Sequence, residues 1–105
     1  PGLKDHPGHE IAKSQMHGYG SIITIVVNGG LKRADTVLQR CSLFHFAVSL
    51  GGVESLIQHP SSMTHAAIPR ERREEIGLVD GLIRLSVGIE SMEDLIDDLE
   101  QALQD

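Results

Sequence analysis

A chain of 105 residues is long enough for one small domain with a single core, and 40% hydrophobic residues is the composition of a chain that folds. The formal net charge is -6, most of the 15 acidic residues fall after residue 52, and no stripe of Lys and Arg runs along the chain, which argues against nucleic acid as a partner. No apolar run approaches the roughly 20 residues that span a bilayer, and Cys41 has no second cysteine to pair with, so a reducing, cytoplasmic setting is expected.

The chain opens on Pro1-Gly2 and polar residues, without a methionine, as an excised or processed domain would. Pro7 suits the first turn of a helix, where its missing N–H would be unpaired anyway. That helix is predicted to run to about His17, with Ile11, Ala12 and Met16 inward and Gly18 as a left-handed cap. Ser21 to Val27 is β-branched and apolar without a helical period, which predicts a buried strand. Asn28-Gly29-Gly30 breaks it, and Leu31, Ala34, Leu38 and Cys41 then recur at helical spacing. Leu43 to Val48 is predicted to be a strand with Phe44, Phe46 and Val48 on one face, interrupted by Ser49-Leu50-Gly51-Gly52. Glu54 to His59 forms a short extended piece ending at Pro60, and Pro69 opens a charged helix that Gly77 closes. Leu82 to Val87 alternates, with Ile83, Leu85 and Val87 facing one way and Leu82, Arg84 and Ser86 the other. Ser91 and Asp94 form a capping pair for a last helix whose apolar stripe is Met92, Leu95, Ile96, Leu99, Ala102 and Leu103. Its acidic face, Glu93, Asp94, Asp97, Asp98 and Glu100, is expected to be solvated. This order predicts an α+β domain over residues 1–105: a small, largely antiparallel sheet with helices on one face, the other face being open to a partner domain.

Three features bear on chemistry. Arg84 sits mid-strand, opposite the apolar side, where its fork of donors matches a carboxylate; spacing alone favours an ordinary solvated arginine. The glycines of Ser49-Leu50-Gly51-Gly52 permit positive φ and close backbone approach, although an ordinary turn after a strand is the simpler reading. The six histidines follow no zinc-ligand spacing, so no metal site is expected, and Cys41 lies on an apolar helix stripe where a structural thiol is expected rather than a nucleophile.

Three stretches together carry a resemblance: His6-Pro7-Gly8-His9-Glu10 with Ala12-Lys13; Ser49-Leu50-Gly51-Gly52-Val53-Glu54-Ser55-Leu56 running on to His59-Pro60-Ser61-Ser62-Met63-Thr64-His65; and Leu82 to Glu90. In order and spacing the chain resembles the C-terminal domain of the Cys/Met-metabolism (trans-sulfuration) enzymes that use pyridoxal phosphate (PLP), a family that includes methionine gamma-lyases and the cystathionine gamma-lyases and gamma-synthases. The resemblance implies a domain packed on a larger cofactor-binding domain absent from this chain, in a homotetrameric parent. It implies that Arg84 holds the substrate α-carboxylate, that Ser49 lines the same pocket, and that Thr64 supports Ser49 by a hydrogen bond. Many cystathionine-handling members have Glu before the Ser-Leu-Gly-Gly run, whereas Val48 resembles methionine gamma-lyases. An apolar thioether suits Val and would leave a buried Glu unpaired. The implied reaction is γ-elimination giving a thiol, a 2-oxo acid and ammonia. The alternatives are cystathionine lysis or synthesis, and a free-standing, non-catalytic binding module of the same fold. No lysine of the chain resembles the family's Schiff-base lysine, since Lys4, Lys13 and Lys32 lie on polar segments. PLP is therefore expected in the parent and not on this chain, which alone is expected to be inactive.

Overall fold

The computed structural model describes residues 1–105. In chain order the elements are α1 (His9–Gln15), β1 (Ile22–Val26), α2 (Gly30–Arg40), β2 (His45–Phe46), β3 (Leu56–Gln58), a 3-10 turn (Pro60–Ser62), α3 (Arg70–Glu75), β4 (Leu82–Ser86) and α4 (Met92–Leu103). The four strands form one sheet in the order β1-β4-β3-β2. β4 runs antiparallel to both β1 and β3, and only the short β2–β3 pair is parallel. This is the α+β, largely antiparallel architecture that the sequence predicts.

The core lies between the sheet and α2 with α4. Ile57, Ile83 and Leu85 supply the sheet side, Ala34 and Val37 come from α2, Leu95 and Ala102 from α4, and Phe44 fills the end. Each large apolar side chain taken out of water there contributes about 1.5–3 kcal/mol. The small Ala34 and Ala102, both fully buried, let the two helices approach closely. Their ends are tied together as well. Arg33 and Arg40 on α2 donate to the carbonyls of Leu103 and Gln104, which the end of a helix otherwise leaves unpaired.

Several expectations are corrected. α1 is shorter than predicted and buries His9 and Ala12, while Ile11 and Met16 are exposed, because the helix does not dock on the core. It ends at Met16 in extended backbone, and Gly18 makes no left-handed cap. β1 is an edge strand with Ile22, Ile23 and Val26 exposed. A β-branched run promises a strand but does not say how much of the chain covers it. The predicted strand from Leu43 to Val48 shrinks to two residues. Phe44 turns into the core, while Phe46 and Val48 are exposed. On α4 the outer stripe residues Met92, Ile96 and Leu103 are exposed.

The largest departure is Asp98, expected in solvent and found 5% exposed. Its carboxylate accepts from the backbone N–H groups of Ser42 (2.8 Å), Leu43 (2.8 Å) and Phe44 (3.2 Å) and from the Ser42 hydroxyl (2.9 Å). These bonds satisfy the backbone that turns Phe44 inward, which is why no ladder forms there. Burial pushes the Asp98 pKa up, but the bonds to Ser42, Leu43 and Phe44 outweigh it and hold the carboxyl below its usual range.

Candidate functional site

Alternation along β4 puts Ile83 and Leu85 on the helix side and Leu82, Arg84 and Ser86 on the opposite face. The register then writes rows across that second face: Thr24, Arg84 and Gln58 form one, and Ile22, Ser86 and Leu56 the next. Residues 49–52 fold back over these rows. Gly51 has φ +76°, a left-handed backbone that a side chain would strain, and its N–H donates to Ser86 Oγ at 2.8 Å. Nearby, Gln58 Nε2 donates to the Ser49 carbonyl at 3.4 Å.

The far end of the same loop is fixed by side chains beyond β4. Ser55 is fully buried, and its hydroxyl donates to Glu90 Oε1 (2.9 Å) and accepts from the Gly88 N–H (2.8 Å). The Ser55 N–H donates to Glu90 Oε2 at 2.9 Å. Gly88 has no substitute here, since a Cβ would overlap the Val53 carbonyl oxygen. The Ser55 N–H bond, and then Glu90's own backbone, hold the Glu90 carboxyl below its ordinary range. The second and third of the three stretches singled out in the sequence are thereby clamped together, and Arg84 lies on the strand that leads into the clamp.

Arg84 itself is half-buried and takes part in no ion pair. Its Nε is buried without a hydrogen-bond partner, and so is Oε1 of Gln58, its neighbour in the row. A buried polar group left unpaired costs about 1–3 kcal/mol, so this row carries an unmet demand for partners.

Of the residues named from the sequence, Ser49 and Val48 are both exposed on the approach to this loop, Val48 by 61%. Thr64 is exposed, and its hydroxyl lies 2.7 Å from His65 Nδ1 rather than on Ser49. The structure thus brings Ser49 beside Gln58 in the row of Arg84 and leaves Thr64 engaged elsewhere. Sequence reasoning missed Gln58, Ser86 and the Ser55–Gly88–Glu90 clamp. The alternation Leu56-Ile57-Gln58 signals which way Gln58 faces, but only the cross-strand register shows that it meets Arg84.

Elsewhere, His59 is buried with both ring nitrogens engaged, Nδ1 by Ser62 Oγ at 2.7 Å and Nε2 by the Asp80 carbonyl, so it packs the 3-10 turn rather than offering a ligand. Burial, and after it the Asp98 charge, pushes the Cys41 thiol up to about 11, the opposite of an activated nucleophile. A cleft of about 500 Å3 opens between the N-terminal residues and β1, and it reaches the Arg84 row only at Thr24. The residues present do not fit PLP: Lys4, Lys13 and Lys32 are all exposed, and none lines that cleft. No helix is long and apolar enough to cross a membrane.

An α+β domain with a guanidinium in no ion pair beneath a glycine-bearing loop, and with all three lysines exposed, defines a class: a small sheet-and-helix module with an open polar sheet face. The model of the Cys/Met metabolism PLP-dependent enzymes matches residues 1–104, and the chain belongs to that family. It is 54% identical over 104 residues to an L-methionine gamma-lyase of Fusobacterium nucleatum subsp. polymorphum, covering 99% of this chain and 26% of that protein. It is 56% identical over 104 residues to a cystathionine gamma-lyase of Bacillus subtilis (strain 168), covering 99% of this chain and 27% of the relative. Among solved structures, a cystathionine gamma synthase from Xanthomonas oryzae pv. oryzae in complex with aminoacrylate and cysteine superposes with a TM-score of 0.90 at 50% identity, covering 98% of this chain and 27% of that one. The chain therefore spans about a quarter of the length of the relatives it matches.

Proposed function

We propose that this chain is the substrate-side domain of a PLP-dependent enzyme acting on sulfur amino acids, with Arg84 as the clamp for the substrate α-carboxylate. The observation that carries the reading is the state of Arg84: central in the sheet, half-buried, in no ion pair, with Nε unpartnered. A carboxylate supplies the missing counter-charge, with two acceptors in the plane of the guanidinium that can pair with its two terminal nitrogens. Aminoacrylate and cysteine, the molecules bound in the Xanthomonas oryzae neighbour, both bear such a carboxylate. Ser49 and Val48 flank the clamp on the loop, and Thr64 closes onto Ser49 when the larger domain is in place. That domain supplies the PLP, with its electron-sink chemistry, and the lysine; this chain binds and orients the amino acid. The parent works as a homotetramer in the cytoplasm.

Within the family we favour methionine-type γ-elimination, because Val48 offers an apolar wall where a charged distal group would need a partner. Trans-sulfuration of cystathionine is the competing reading, favoured by a cystathionine gamma-lyase relative at 56% identity against 54% for the methionine gamma-lyase. The test is the whole protein assayed with methionine, cystathionine and O-acylated homoserine, wild type against Val48→Glu. The expected result is a preference for methionine that Val48→Glu shifts toward cystathionine. An unchanged ranking contradicts the Val48 assignment.

A further inference from the structure

The geometry points to Gln58 as a positioning residue that holds the Arg84 guanidinium in register, an inference that rests on Arg84 being the carboxylate clamp. Gln58 is only 2% exposed and stands directly across the strand pair from Arg84. Cross-strand partners bring their Cβ atoms within about 5.5 Å of each other, close enough for these two long side chains to meet. Which end of the amide faces which way is fixed by chemistry. The amide lies 3.4 Å from the Ser49 carbonyl, which can only accept, so Nε2 must be the atom turned to it. The oxygen is left over, buried and unpartnered. On Arg84 the unpartnered buried atom is Nε, which can only donate.

An orphan acceptor and an orphan donor on adjacent residues of one face are complementary, and rotation of the two side chains would pair them. The Nε–H of Arg84 then bonds to Gln58 Oε1, and the two terminal nitrogens remain free to grip a carboxylate edge-on. Gln58 also reads the loop, because its other end holds the Ser49 backbone. One side chain thus couples the position of the Ser49 loop to the aim of the guanidinium. Thr24, the other neighbour of Arg84 in the row, is exposed on the edge strand and offers no comparable anchor.

The test uses the whole protein and L-norleucine, an unreactive amino acid with the same carboxylate, against L-norleucinamide, which lacks it. Affinities are read by titration calorimetry for wild type, Gln58→Met, Arg84→Lys and the double variant. Met conserves volume and removes the acceptor; Lys keeps the charge and removes Nε. Gln58→Met is expected to weaken norleucine about tenfold and leave norleucinamide unchanged, with no further loss in the Arg84→Lys background. Equal weakening of both ligands, additive losses, or no effect of Gln58→Met while Arg84→Lys weakens norleucine each overturn the role of Gln58 alone. Unchanged norleucine binding in Arg84→Lys overturns the carboxylate clamp itself. If Gln58→Met fails to fold, Gln58→Asn, neutral and one methylene too short to reach both partners, is expected to weaken norleucine and leave norleucinamide unchanged; unchanged norleucine affinity also counts against the inference.

Discussion

Asp98 on α4 and Arg84 on β4 lie on opposite sides of the sheet, and they differ in what meets them. Asp98 is surrounded by donors from its own domain, three backbone N–H groups and a hydroxyl, and its charge is fully used in holding the turn at residues 42–44. Arg84 is half-buried with nothing of opposite charge beside it and a buried nitrogen unpaired. A charge that its own fold satisfies is scaffold; a charge that its fold leaves unsatisfied is a candidate site. The two should therefore fail in opposite ways when changed.

The largest expected effect is on the scaffold side. Asp98→Ala strands three backbone N–H groups, that of Phe44 buried and those of Ser42 and Leu43 less so, and should lower unfolding free energy in urea by about 3 kcal/mol. A loss below about 1 kcal/mol would erase the contrast with Arg84. Gly88→Ala comes next, at roughly 2 kcal/mol, because the Val53 carbonyl must move to admit a Cβ and the Ser55–Glu90 clamp moves with it. A melting temperature unchanged from wild type would show the clamp to be slack.

The pH dependence sharpens the same comparison. Asp98 and Glu90 both have carboxyl pKa values held below their unfolded values. Their contribution is fully present above the unfolded carboxylate range of about 4 and is lost as pH falls through the depressed folded values. Stability should therefore decline below about pH 4, and Asp98→Asn should flatten that decline. An equally steep decline in the variant would assign the acid sensitivity to other groups.

How much of this was legible in the sequence follows the range of each interaction. α4 and β4 were readable because their periods are long and clean, and the Ser91 cap forms as read, accepting from the Asp94 N–H at 3.4 Å. β1 was readable as a strand but not as an exposed edge, since exposure depends on what else packs there. Asp98 looked like its solvated neighbours Asp94 and Asp97, because the backbone it serves lies more than fifty residues away in the chain. The alternation of β4 placed Arg84 on the non-core face correctly. It could not show that Gln58 would stand beside it, which is a matter of register between distant strands. Family resemblance supplied what periodicity could not, the role assigned to Arg84.

The most direct measurement pairs two readouts on one substitution, Arg84→Met in the whole protein: unfolding free energy and KM for the amino acid substrate. Met keeps the apolar stem and removes the unpaired nitrogen, so stability should stay within about 0.5 kcal/mol of wild type or rise, while KM climbs at least about tenfold. A loss of more than about 2 kcal/mol with KM unmoved would make Arg84 a structural residue like Asp98 and contradict the account.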